Sequence, residues 1–272
     1  MPLVEHIREL RSRLLRTVIG LVLGVIVGFV FFEPIWAVLQ DPYCQLPIAQ
    51  DPDGGCKLGI FRIFASFLIR LKVALIVGVV LSSPIWLYQL WAFVTPGLHR
   101  NERRWTVAFL GTAIPLFFGG AALAYFVLDK GLAILLSFAP QDANLLIGID
   151  DYLSFVTRML IVFGVSFELP LLVLMLNLAG ILSYERIARW RRMIIFGAFV
   201  FAAVATPSGD PFSMLALGVP MIILFEIAGQ IARIHDRRKA AREAASPYAE
   251  LSDDEASPLD LDESYGLEDD RR

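Results

Sequence analysis

The chain has 272 residues, of which 57% are apolar and 19% charged, with a formal net charge of −3. That apolar share exceeds the roughly 45–50% of soluble domains and is concentrated in blocks, which excludes an ordinary soluble fold and points to an integral membrane protein. Three His, two Cys and the lack of any H-E-x-x-H, G-x-S-x-G, P-loop or G-x-G-x-x-G run leave catalysis, a metal and a cofactor without support.

Residues 1–13 are polar, with Leu3, Ile7, Leu10 and Leu14 on one helical stripe, and predict a cytoplasmic amphipathic helix running into a first span at about 14–32. The apolar run is longer than a signal-peptide core and no A-x-A site follows, so it reads as a retained membrane helix. Gly20, Gly24 and Gly28 recur every fourth residue, a face for close packing either within the molecule or against a partner helix. Residues 33–70 read as a long connection ending in a short amphipathic piece at 60–69. The second span, about 73–94, is interrupted at Ser82-Ser83-Pro84. The third, about 106–128, contains Pro115, and a connection at 129–151 follows. The fourth, about 152–179, contains Glu168 and Pro170. A polar, basic loop at 181–192 leads to a fifth span at about 193–205. A tight turn at 206–211 then leads to a sixth at about 212–228. At 1.5 Å per residue the fifth reaches roughly 20 Å, against about 30 Å of hydrocarbon, and the sixth is apolar for only ~14 residues. Short last helices require thinned membrane along one edge.

Orientation follows from Arg and Lys. The N-terminal segment has Arg8, Arg11, Arg13 and Arg16; the second-to-third loop has Arg100, Arg103 and Arg104; the fourth-to-fifth has Arg186, Arg189, Arg191 and Arg192; the flank after the sixth has Arg233, Arg237, Arg238, Lys239 and Arg242. The alternate connections hold Lys57, Arg62, Arg70 and Lys72, then Lys130, then none. The positive-inside rule gives six transmembrane helices with both termini in the cytoplasm. The membrane body is then 14–230, and 231–272 is a basic flank followed by an acidic tail. Residues 246–272 are rich in Asp, Glu and Ser with almost no large apolar groups, which predicts a disordered, solvated tail.

Few polar groups stand out. Cys44 and Cys56 fall in an outer loop, where an oxidising compartment allows a disulfide, the alternative being two unpaired thiols. Glu168 lies deep in the fourth span, where an ionised carboxylate is costly. It must face a cavity, find a partner or be protonated; a hydrogen bond to a neighbouring helix is the plainer reading. Glu9 and Glu102 sit on the cytoplasmic side, each close to an arginine (Arg13, Arg103). Local salt bridges are one reading. The other is that both carboxylates receive guanidiniums from a ligand, since Arg forms a rigid fork that fits a carboxylate and Lys does not. Asp210 in its Pro/Gly turn reads first as turn chemistry.

Several runs match one family. They are His6-Ile7-Arg8-Glu9-Leu10-Arg11-Ser12-Arg13-Leu14; Tyr88-Gln89-Leu90-Trp91-Ala92-Phe93 with Pro96 and Leu98; Glu102-Arg103-Arg104; Ala124-Tyr125-Phe126; and Tyr152-Leu153-Ser154-Phe155. They continue with Phe163-Gly164-Val165-Ser166-Phe167-Glu168-Leu169-Pro170; Thr206-Pro207 with Asp210 and Phe212-Ser213; and Pro220-Met221 with Phe225-Glu226-Ile227. In this order, over about 3–230, the chain resembles TatC, the multispanning subunit of the Sec-independent twin-arginine protein translocase. The resemblance implies a non-enzymatic signal-peptide receptor and scaffold that exports folded proteins, driven by the protonmotive force. Glu9 and Glu102 would receive the two arginines, with Phe93, Pro96, Leu98, Arg103 and Arg104 shaping the site, and Glu168 would be the intramembrane polar site. TatA-type and TatB-type single-span subunits would dock on the last two helices, with Asp210 and Met214 as partner contacts, although the family pattern has Gln where Met214 stands. Further copies of the chain and membrane lipid are the other implied partners. A proton-coupled small-solute transporter using Glu168 is the alternative. It predicts several midplane charges and inverted repeats, where one charge and no evident repeat are seen.

Overall fold

The computed structural model describes residues 3–50, 56, 58–61, 63–94, 102–138, 140, 146–207 and 209–245. The predicted tail, 246–272, lies outside the described residues. Among the described residues the chain forms eight α-helices, a 3-10 turn (Pro47–Ala49) and two short strands, β1 (Leu58–Gly59) and β2 (Ile147–Gly148), paired in parallel. Helices are the form that lets every backbone N–H and C=O be satisfied within its own segment in hydrocarbon.

Helix α1 (Leu3–Val30) is continuous, so the amphipathic start and the first apolar segment share an axis. α2 (Phe32–Cys44) occupies ground that composition assigns to a connection. Pro42 hides it in the sequence, because a proline inside a helix orphans the carbonyl four residues back. That carbonyl, Val38 O, accepts a hydrogen bond from the Tyr125 hydroxyl at 2.9 Å, so the helix survives its proline. The second apolar segment is a pair, α3 (Ala65–Leu81) and α4 (Ser83–Val94), bent by 53° at the predicted Ser82 break. The amphipathic piece expected at 60–69 is not separate, since its second half is the start of α3.

α5 (Glu102–Ser137), α6 (Ile149–Leu178), α7 (Tyr184–Ala205) and α8 (Pro211–Ala244) complete the bundle. Two predicted connections are shorter than expected. Residues 129–137 continue α5, and 184–192 form the basic first half of α7. Among the described residues four helices are long and apolar enough to cross a membrane, and the bent α3–α4 pair, counted as one span, makes a fifth. α7, at 22 residues, is long enough but its arginines leave it insufficiently apolar, and α8, expected to be short, is a 34-residue helix long and apolar enough to cross. Arg191 Nε donates to Glu226 Oε1 of α8 at 2.6 Å. From that polar level to the turn at 206–210, the two helices reach only about 20 Å at 1.5 Å per residue.

The glycine stripe of α1 packs inside the molecule. A Cβ on Gly24 would stand 2.9 Å from the backbone of Gly78, and one on Gly28 would stand 2.8 Å from Val77 Cβ, so α1 and α3 meet backbone to backbone. α5 and α6 do the same: a Cβ on Gly120 would meet Phe163 O at 2.5 Å. The apolar core is two clusters. One gathers Tyr43, Val73, Leu128, Tyr152 and Val156 toward the strand ribbon; the other gathers Leu87, Trp91, Phe109, Phe117 and Met175 toward the opposite end.

Candidate functional site

The ribbon end is heavily fastened. Cys44 and Cys56 are disulfide-bonded, with Cα atoms 5.3 Å apart, which ties the end of α2 to the segment entering β1. The Tyr152 hydroxyl, on α6, donates to Leu39 O of α2 at 2.6 Å, and its ring lies 5.5 Å from that of Tyr43. Arg70 of α3 pairs with Glu33 of α2 at 2.8 Å while lying over the Phe32 ring.

Of the residues expected to grip a ligand, those in the described helices, Glu9, Phe93, Glu102, Arg103 and Arg104, belong to helix ends away from the ribbon. Gly20 of α1 faces Ile85 of α4, so the N-terminal turns of α1 run beside the last turns of α4. Trp91 of α4 packs on Phe109 of α5, ring centroids 4.5 Å apart. The start of α1, with Glu9, the end of α4, with Phe93, and the first turn of α5, with Glu102, Arg103 and Arg104, therefore lie toward one side of the bundle, with α4 packed on both α1 and α5. Pro96 and Leu98 lie outside the described residues, as do the side chains of Phe93, Glu102, Arg103 and Arg104. Glu102 opens its helix, where the macrodipole favours a negative charge.

Glu9 is half-buried. Its Oε1 accepts from Arg13 Nε at 3.1 Å and also from Arg13 Nη2, one turn along the same helix. Both bonds land on one oxygen, and among the described residues nothing hydrogen-bonds to Oε2. A carboxylate offers about four lone-pair sites, so Glu9 keeps capacity for a second guanidinium.

Glu168 is buried in α6 at 9% exposure, and neither carboxylate oxygen has a hydrogen-bond partner among the described residues. It lies one turn beyond Gly164, where α6 presses on Phe117 of α5, and two residues before Pro170, which leaves Ser166 O without its intrahelical donor. A polar group in that position exerts a strong local demand for a proton or a donor.

Asp210 is buried and caps α8. Its Oδ1 accepts the Ser213 N–H at 2.7 Å, and Pro211 takes the first helical position. Gly209, at φ +58°, supplies the left-handed step of that turn. Met214 is partly buried against the cluster nearer the ribbon.

Two features escape the sequence reading. One is a clasp at the α6–α7 turn: Asp236 of α8 accepts the Tyr184 N–H at 2.8 Å and the Asn177 amide at 3.1 Å, and Asn177 also donates to Leu182 O at 2.8 Å. The other is Arg158. Composition counts Glu168 as the one charge in the fourth span; Arg158 lies in the same helix and is exposed on its surface.

The family described as Sec-independent protein translocase protein (TatC) matches residues 5–220. A protein of that name from Frankia casuarinae is 51% identical over 270 residues, covering 97% of this chain and 74% of the relative. One from Corynebacterium kroppenstedtii is 42% identical over 280 residues, covering 95% and 67%. A crystal structure of a twin arginine translocase receptor, TatC, superposes with a TM-score of 0.70 at 31% identity, covering 84% of this chain and 99% of that one.

Proposed function

Because this chain belongs to the TatC family, and is thus a membrane component of a Sec-independent protein translocase, we propose that it is that complex's receptor for twin-arginine signal peptides. In this reading it also serves as the scaffold on which folded cargo crosses the cytoplasmic membrane, driven by the protonmotive force. Both termini and the α1–α4–α5 mouth are cytoplasmic, and the ribbon end is outside. Glu9 and Glu102 take one guanidinium each, while Phe93, Pro96, Leu98, Arg103 and Arg104 shape the surrounding surface. TatA-type and TatB-type subunits dock along the short α7–α8 edge near Asp210 and Met214, and further copies of the chain join the complex.

The observation that supports this reading is that α4 packs on α1 at Ile85–Gly20 and on α5 at Trp91–Phe109, which turns three helix ends toward one side of the bundle. The Glu9 turns of α1, the Phe93 end of α4 and the Glu102 start of α5 come from positions up to about 90 residues apart in sequence. Two carboxylates beside an apolar α4 end suit a peptide with paired arginines followed by apolar residues, since a charge-assisted guanidinium–carboxylate bond is stronger than a neutral one. Glu168, buried with no hydrogen-bond partner among the described residues, supplies an intramembrane group able to hold a proton or accept a donor from an inserted helix.

The test is Glu102→Ala. Photo-crosslinking of a twin-arginine precursor should fall roughly 10-fold or more, the equivalent of one charged hydrogen bond at about 1.5–3 kcal/mol. Undiminished crosslinking and export would overturn the receptor reading. So would labelling that put Glu9 and Glu102 on the outer surface.

A further inference from the structure

Arg158 sits ten residues from Glu168 along α6, toward the ribbon. Its side chain is exposed, and among the described residues none hydrogen-bonds or ion-pairs with it. It lines a shallow groove of about 260 Å³ between α3 and α6. The parallel ribbon starts both helices in the same direction, with Leu58 opposite Ile147 and Gly59 opposite Gly148. Polar groups therefore gather at the groove's upper end. Lys72 of α3 ion-pairs with Asp150 and donates to Ser154 Oγ at 3.0 Å. Arg158 follows one turn below Ser154, and the floor is Leu75, Ile76, Val79 and Ile161.

The charges do not balance. Lys72 is matched by Asp150, and Asp151 sits at the exposed helix start beside Gly148, which leaves Arg158 as the unmatched cation of the groove among the described residues. Eight residues separate Asp150 from Arg158, which puts the Arg158 Cα about 12 Å below the first turn of α6. A guanidinium on the lipid-facing surface at that depth is unfavourable unless it snorkels to a headgroup or finds an anion.

We propose that this groove is a binding site for a phospholipid of net negative charge in the leaflet at the ribbon end. The phosphate sits on Arg158 beside Lys72, and one acyl chain lies along Leu75, Ile76, Val79 and Ile161. Arg suits this role because its planar fork meets two phosphate oxygens at once, and basic pockets between membrane helices bind lipid headgroups. A single net negative charge neutralises the site, whereas a zwitterionic headgroup brings a further cation next to Lys72.

The experiment is native mass spectrometry of the whole chain from detergent, titrated with phosphatidylglycerol against phosphatidylcholine. The wild type should favour phosphatidylglycerol by about tenfold. Arg158→Gln should abolish that preference, and Arg158→Lys should keep part of it. Ile161→Trp keeps every charge but fills the floor, and should weaken adducts of both lipids. Equal phosphatidylglycerol retention by wild type and Arg158→Gln overturns the proposal. So does a cross-link from Ile161→Cys to a partner's membrane helix that depends on Arg158 while lipid adducts do not change, because it would assign the groove to an acidic side chain of that helix.

Discussion

The two ends of the bundle are held by different kinds of contact. At the ribbon end the ties are long-range: a disulfide between Cys44 and Cys56, Tyr152 to Leu39 O, Tyr125 to Val38 O, Lys72 to Asp150 and a strand pair joining the entries of α3 and α6. At the opposite end, the described ion pair beside the candidate site, Glu9 with Arg13, spans one turn of a single helix. The long-range ties there belong to the α6–α8 side, where Asp236 holds the α6–α7 turn and Arg191 pairs with Glu226. An i,i+4 pair contributes only about 0.3–0.5 kcal/mol. Under the proposed function, Glu9 would exchange Arg13 for an incoming arginine at little cost and without disturbing the packing of other helices. The long-range ties concentrate at the ribbon end, and under the proposed function the more lightly tied α1–α4–α5 end is the one that binds.

That contrast makes its largest prediction at the mouth. Charge reversal by Glu102→Lys should remove crosslinking of a twin-arginine precursor by well over tenfold, since it replaces an attraction with a repulsion. Cys44→Ser with Cys56→Ser should leave that crosslinking within about twofold. If the cysteine variant lost binding as severely as Glu102→Lys, the two ends would not be separable.

At the ribbon end the same cysteine variant should lower stability by about 3 kcal/mol, the chain-entropy value for a loop of this length. Denaturant unfolding in detergent, with and without reductant, reads it directly. Wild type under reductant should coincide with the variant, and an unchanged midpoint would mean that the neighbouring hydrogen bonds alone hold α2 in place. On the α6–α8 side, Asp236→Ala should cost about 1–2 kcal/mol, because the Tyr184 N–H and the Asn177 amide lose their acceptor while partial exposure lets water replace some of it. Asp236→Asn should cost less, since it keeps an acceptor oxygen. A loss of signal-peptide crosslinking in either variant would show that the clasp reaches the mouth.

Much of this arrangement is legible in the sequence, because apolar runs ended by arginines are a strong signal and the bundle consists mainly of such runs. The bend at Ser82 follows from local composition in the same way, whereas the expected short last helix does not, because α8 continues as one helix through Ala244. α2 is not legible. Pro42 looks like a helix breaker until the Tyr125 hydroxyl, 87 positions from Val38, is seen to occupy the freed carbonyl. The basic first half of α7 reads as loop because charge and helix propensity point in different directions there. Arg158 is lost in an apolar window that averages it away, and Asp236 means nothing until the fold brings it to Tyr184. The glycine stripe of α1 shows that close packing occurs but not with what; only the contacts with Gly78 and Val77 assign Gly24 and Gly28 to α3, and that with Ile85 assigns Gly20 to α4. At the proposed mouth, the residue types are readable and the neighbourhood of the helix ends is not, since only the packing of α4 on α1 and on α5 turns them to one side.

The smallest expected effect bears most directly on the mouth. If Arg13 merely occupies Glu9 until a ligand arrives, Arg13→Gln removes a competitor worth about 0.3–0.5 kcal/mol, so a two-arginine peptide should bind about twofold more tightly. Stability should fall by no more than about 0.5 kcal/mol. Both effects rest on partly exposed charges and should shrink as salt rises, together with ligand affinity itself. Titration of a labelled twin-arginine peptide into wild type and Arg13→Gln, at low and at high ionic strength, separates the cases. A tenfold loss of affinity in Arg13→Gln would mean that Arg13 contacts the ligand or orients Glu9 toward it, and the mouth would then be preorganised by its internal ion pair. Affinity unchanged by salt in both proteins would place recognition on the apolar end of α4, with the carboxylates reduced to bystanders.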